Sequence, residues 1–170
     1  MSLFDSLQQF LNTGGNVLWV ILGISICLWS LIVERFIYFK LTYPTHRSIY
    51  LSTWEQQVNK NSQQALYIRK GIISEAKISM NKTVPIIKML VALCPLLGLL
   101  GTVTGMIHVF DVMAITGTGN ARAMASGVSQ ATIPTMAGMV IAIAGLYFSK
   151  LIEQRVSDES HHLTDLLQYN

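Results

Sequence analysis

Three long apolar stretches constrain this chain more than any other feature. Residues 17–39 carry charge only at Glu34 and Arg35, residues 89–113 only at Asp111, and residues 127–149 not at all. A bilayer core about 30 Å thick is crossed by roughly 20 apolar residues of helix, and each stretch is long enough. Over the whole chain 51% of residues are hydrophobic and 12% charged, about half the charged share of a typical soluble domain. The expected fold class is an all-α integral membrane protein with three transmembrane helices. The first stretch reads as a retained helix and not as a cleaved leader. No Lys or Arg precedes it, and Glu34-Arg35 follows where a small-residue cleavage site would stand.

Basic residues set the orientation. Nine of them lie in residues 34–88, from Arg35 to Lys88, and Lys150 and Arg155 follow the third span. None precedes the first span, and Arg122 alone lies between the second and third. Basic segments stay in the cytoplasm. The expected organisation is a periplasmic segment 1–16, a cytoplasmic helical hairpin 40–88, a periplasmic loop 114–126 and a cytoplasmic helical tail 150–170. In the hairpin, Ala65, Ile68, Ile72, Ala76 and Met80 recur every three or four residues, the spacing of one helix face. Pro44 and Pro85 punctuate its two ends. Glu34 and Arg35 read as interfacial anchors.

The second and third spans carry narrow faces. Gly127, Ala131, Thr135, Gly138, Ala142, Gly145 and Ser149 form one stripe of small residues. Gly98, Gly101, Gly105 and His108 form another, with Thr102 beside it. Small residues let helix backbones approach closely, a main source of helix association in lipid. Pro95 and Pro134 predict kinks and free the carbonyls four residues back, on Val91 and Gln130. Thr104 and Thr132 are expected to bond back to their own helices. His108 is the only group inside a span that titrates near neutral pH, and a buried, neutral, hydrogen-bonded ring is the expectation for it. No carboxylate lies deep in any span. Cys27 and Cys94 lie within apolar stretches and read as small hydrophobes. His161 and His162, beside Asp158 and Glu159, read as a solvated face. The sequence shows no metal-ligand spacing, no cofactor motif and no nucleophile–base pair, so neither an enzyme nor a cofactor protein is expected. A formal charge of +3 without a basic cluster gives no reason to expect nucleic acid. A secondary transporter would call for internal repeats, and none is visible.

PLLGLLGTVTGMIHVF (Pro95 to Phe110) followed by GVSQATIPTMAGMVIAIAG (Gly127 to Gly145) closely resembles the paired membrane helices of the ExbB–TolQ–MotA proton-channel family. Proline, the Gly-x-x-Gly-Thr-Val-x-Gly pattern and the later Thr-x-x-Gly are the most specific elements. The order of segments agrees over essentially the whole chain, most like short ExbB-type proteins of TonB systems. The resemblance implies a homo-oligomeric ring, a pentamer, in a bacterial inner membrane, with the N-terminus periplasmic and the C-terminus cytoplasmic. It implies a pore lined by the second and third spans and two copies of a single-span, ExbD-like partner bringing a membrane aspartate. Proton flow would then drive a TonB-like protein in outer-membrane uptake, of the iron–siderophore type. A TolQ-like stator for envelope integrity, another surface motor and a non-conducting scaffold are the alternatives. Thr102 and Thr135 match the family's pore threonines. Gln130 stands where longer members have a glutamate, so the resemblance brings no proton-accepting carboxylate here. Gln130, Thr102 and Thr135 are therefore expected to line the proton path, their amide and hydroxyls serving a partner's acid in both its charged and neutral forms.

Overall fold

A computed structural model describes residues 14–56, 63–116 and 121–167, the side chains of 116 and 121–123 excepted. Most of the expected N-terminal segment, the middle of the expected 114–126 loop and the last three residues of the tail lie outside the described residues. Those described fold almost entirely as helix: α1 (Gly15–Ile37), a π-helical turn (Tyr38–Thr42), α2 (Tyr43–Glu55), α3 (Gln63–Asn81), α4 (Val84–Thr116) and α5 (Ala121–Leu166). Three helices are long and apolar enough to cross a membrane; the second and third expected spans fall within α4 and α5, and the first fills α1 from Val17 and runs two residues into the π-helical turn.

Local chemistry explains several boundaries. Gly15 opens α1 with φ of 69°, a left-handed conformation that glycine adopts without a Cβ clash. Pro44 lies in the first turn of α2 and Pro85 in that of α4, where a missing N–H leaves no helical bond unmade. Pro95 and Pro134 both lie inside continuous helices.

The helices divide between two compact units, residues 1–29 with 88–146 and residues 30–87 with 147–170. In the first, Leu18 and Ile21 of α1 are buried against Leu97 of α4 and Ile133, Ala137 and Ile141 of α5. Large apolar side chains elsewhere on these helices are exposed, among them Leu99, Val103, Ile107, Met139, Val140 and Ile143, as expected of surfaces made for lipid or other membrane helices.

The second unit is held differently. α3 buries Ala65, Ile72, Ala76 and Met80, α2 buries Tyr43 and Trp54, and the end of α5 buries Ile152, Val156 and Leu163. Arg69 donates to the carbonyls of Leu167 at 2.7 Å and Thr164 at 3.0 Å, satisfying acceptors that a helix C-terminus leaves open. Arg47 donates to His162 Nε2 at 2.8 Å. A guanidinium has only donors, so that ring nitrogen accepts.

Arg35 differs from the anchoring role expected of it. It is only 2% exposed. Its Nη1 donates to the Ser79 carbonyl at 3.3 Å and its Nη2 to Thr83 Oγ1. The guanidinium lies 4.9 Å from the Tyr38 ring centroid, and the Tyr38 hydroxyl bonds Ser79 Oγ at 2.7 Å. The exposed Glu34 carboxylate approaches Nε only to 4.0 Å. Burial of an arginine is costly unless its donors are used; a helix joint far along the chain supplies acceptors to Nη1 and Nη2, while Nε has no hydrogen-bond partner.

Candidate functional site in the paired helices

The site is built on an antiparallel seam between α4 and α5. Its positions on α4 are Val91, Cys94, Gly98, Gly101, Gly105 and Val109, and they meet Gly145, Gly138, Thr135, Pro134, Ala131 and Gly127 in that order. The approach is close enough to require glycine. A Cβ on Gly98 would lie 2.8 Å from Thr135 Cα, and one on Gly105 2.6 Å from Ala131 Cβ. At Gly138 the added carbon would collide with the Cys94 carbonyl oxygen, a backbone atom that cannot rotate away. Ala131 and Ala142 are buried along the same face.

Thr135 makes the one side-chain hydrogen bond across this seam among those described. Its Oγ1 donates to the Gly98 carbonyl at 2.9 Å. The other span threonines bond within their own helices: Thr102 to Leu99 O at 2.7 Å, Thr104 to Leu100 O at 2.9 Å and Gly101 O at 3.1 Å, and Thr132 to Ser129 O at 2.8 Å. Thr102, expected to line the path, thus uses its proton as Thr104 and Thr132 do. A hydroxyl owns one proton and two lone pairs. With the proton committed to a carbonyl, Thr102 and Thr135 offer acceptors only.

The three polar residues expected to act together do not share a side. Gln130 and Thr135 are five positions apart, roughly 140° around a helix. Leu97, Gly101, Ile133, Ala137 and Ile141 mark the flank of the seam that meets α1. Gln130 lies on that flank, and Thr102 and Thr135 lie on the other, both half-buried. Gln130 lines a cleft of about 520 Å³ with His108, Thr104, Gly105, Ala131 and the start of α1 at Gly15 and Asn16. His108 is exposed in that cleft, unlike the buried ring expected. Sequence reading missed that Gln130 and His108 line one cleft. A helical wheel of each span, combined with a choice of which flank α1 covers, would have found it.

Outside the spans, burial first and then the Glu159 carboxylate push the Tyr43 phenol up to about 12, so it is neutral at physiological pH. Among the described residues no three His, Cys, Asp or Glu side chains gather as a metal site would require.

Comparison with known proteins gives this geometry a context. The MotA/TolQ/ExbB proton channel family matches residues 35–165, which include α4, most of α5 and the joint at Arg35. The chain is 44% identical over 70 residues to the "Putative biopolymer transport protein ExbB-like 1" of Synechocystis, covering 39% of this chain and 28% of that protein. A second Synechocystis protein, "ExbB-like 3", is 39% identical over 64 residues, 36% of this chain and 30% of its own length. "Biopolymer transport protein exbB1" of Vibrio cholerae is 33% identical over 81 residues, 47% of this chain and 36% of its own length. The matched part spans about a third of the length of each relative. With three apolar helices, a glycine-packed seam between the last two and a family match over most of its length, the chain belongs to the MotA/TolQ/ExbB proton channel family.

Proposed function

We propose that this chain is the ring subunit of a proton-driven motor of ExbB type in a bacterial inner membrane. Five copies would surround a pore, with the flank of the α4–α5 seam that bears Thr102 and Thr135 turned inward. Two copies of a single-span, ExbD-like partner inside the ring would each bring a membrane aspartate, and a TonB-like protein would take up the motion. Residues 1–16 and 114–126 would be periplasmic, and 40–88 and 150–170 cytoplasmic.

One observation carries the mechanism. Thr135 and Thr102 give their protons to carbonyls, so their oxygens present lone pairs alone. A protonated carboxylic acid can donate to such an oxygen, and so can water. A carboxylate, which only accepts, finds no donor there. The ring wall would therefore favour the partner's acid in its neutral form and let it pass, with proton uptake at the outer side and release at the inner side. This narrows the expectation that these groups serve the acid in both its charged and neutral forms. One charge crossing 100 mV is worth about 2.3 kcal/mol, so pulling on a distant plug would take several protons. Gln130, on the opposite flank, is assigned a neutral contact within the subunit beside His108.

A membrane enclosing this chain with its partner should conduct protons, and either protein alone should not. Flux that requires both, measured with a pH-sensitive dye inside vesicles, would support the reading. Assembly of the two without flux would leave a non-conducting scaffold, the function that an amide at position 130 would otherwise suit.

A further inference from the structure

A groove of about 390 Å³ in the second unit has no role in the proton path. It is lined by Phe36, Ile37, Phe39 and Lys40 from the end of α1 and the π-helical turn, and by Ile152, Arg155 and Glu159 of α5. Its volume lies in the range of small-molecule sites. We propose that this groove binds the headgroup of an anionic phospholipid.

Four observations converge on it. The first is depth. Phe36, Ile37 and Phe39 lie in the last turn of the first apolar stretch, and Ile152 and Arg155 follow the third, so the groove lies where lipid headgroups begin. Phe36 and Phe148 close edge-to-face at 6.3 Å beside it, and Tyr38 and Tyr147 stand close by along the chain, tyrosine being a residue that concentrates at that level of a bilayer. The second is charge. Lys40 and Arg155 are both exposed, and two cations face one carboxylate, Glu159. A phosphodiester satisfies that excess, whereas the choline of a zwitterionic lipid would add a third cation. The third is the apolar wall. Phe36 is 42% and Ile37 51% exposed, a surface that suits the first carbons of acyl chains. The fourth is the backbone. Phe39 and Lys40 belong to a π-helical turn, and such turns are frequent at functional sites. The turn interrupts the α-helical register where the groove needs an aromatic ring and a cation side by side. None of this depends on proton conduction, so failure of one proposal leaves the other standing.

The test uses the intact chain in detergent, read by native mass spectrometry, with 1-palmitoyl-2-oleoyl phosphatidylglycerol and the phosphatidylcholine of the same chains as probes. The chain should retain phosphatidylglycerol over phosphatidylcholine. The pair Lys40→Gln/Arg155→Gln should weaken that retention about 30-fold, from two basic groups at roughly 1 kcal/mol each near an anionic surface. The pair Lys77→Gln/Lys82→Gln removes the same charge from exposed positions outside the groove, and it should leave retention unchanged. Equal retention of the two lipids, or equal loss in both variant pairs, would overturn the proposal. Displacement of bound phosphatidylglycerol by millimolar inorganic phosphate would also overturn it, making the groove a site for free anions.

Discussion

The two units solve one problem, holding helices together, with opposite chemistry. In the first, glycines and alanines bring α4 and α5 into backbone contact, and the side-chain hydrogen bond described across the seam is Thr135 to Gly98. In the second, Arg35, Arg69 and Arg47 reach carbonyls, a hydroxyl and a ring nitrogen on other helices over an apolar core. The difference fits the proposed placement of the first unit in lipid and of most of the second in water. Lipid is as apolar as leucine, so burying leucine between helices gains little there, and close van der Waals approach must supply the association. Water rewards apolar burial and lets long charged side chains bridge the rim. A glycine should therefore be judged by what it packs against, and enlarging it should act with opposite sign at the α4–α5 seam and at an open position of the second unit such as Gly71.

Gly138→Leu is the largest expected break. Its side chain would meet the Cys94 carbonyl, and the two backbones would have to part. Overpacking typically costs 1–3 kcal/mol and sometimes more; here about 3 kcal/mol or more is expected, seen as loss of monodisperse protein in size-exclusion chromatography. Arg35→Ala comes next. It strips charge-assisted hydrogen bonds, together worth about 1.5–3 kcal/mol, and leaves a void beside Tyr38. Hydrogen exchange should quicken around Ser79 and Thr83 and stay unchanged from Gly98 to Gly105. Gly71→Ala should give the smallest effect and the opposite sign. Nothing lies within 4 Å of a Cβ there, and alanine replaces glycine in a helix interior, a gain of roughly 0.5–1 kcal/mol visible as a higher midpoint in thermal unfolding. If Gly71→Ala and Gly138→Ala shifted stability alike, the contrast between the close-packed seam and the open helix would be gone.

The sequence made much of the first unit legible. The three apolar stretches, the spacing of Gly98, Gly101 and Gly105, and the stripe from Gly127 to Gly145 are all local patterns, and helix periodicity converts them into faces. The local bonds of Thr104 and Thr132 follow from the same short-range geometry. What stayed hidden depends on residues far apart in the chain. Arg35 looks like an interfacial charge until Ser79 and Thr83, more than forty residues on, supply its acceptors. The roughly 140° between Gln130 and Thr135 is legible on the wheel of α5 alone, but which of the two shares the flank of α1 is not encoded in any single helix. Thr102 and Thr135 have the same hydroxyl, yet one bonds within its helix and the other across the seam, and only the position of Gly98 decides that.

The central claim is that Thr135, its proton tied to Gly98, offers an acceptor to a partner's neutral acid. The most direct measurement is proton flux into vesicles holding the chain with its partner, comparing wild type, Thr135→Ser and Thr135→Val. Loss of one hydrogen bond between membrane helices costs only about 0.6 kcal/mol on average, so both variants should assemble. The account predicts that Thr135→Ser keeps flux within a few-fold of wild type and that Thr135→Val lowers it at least tenfold at equal assembly. Undiminished flux through Thr135→Val would contradict it.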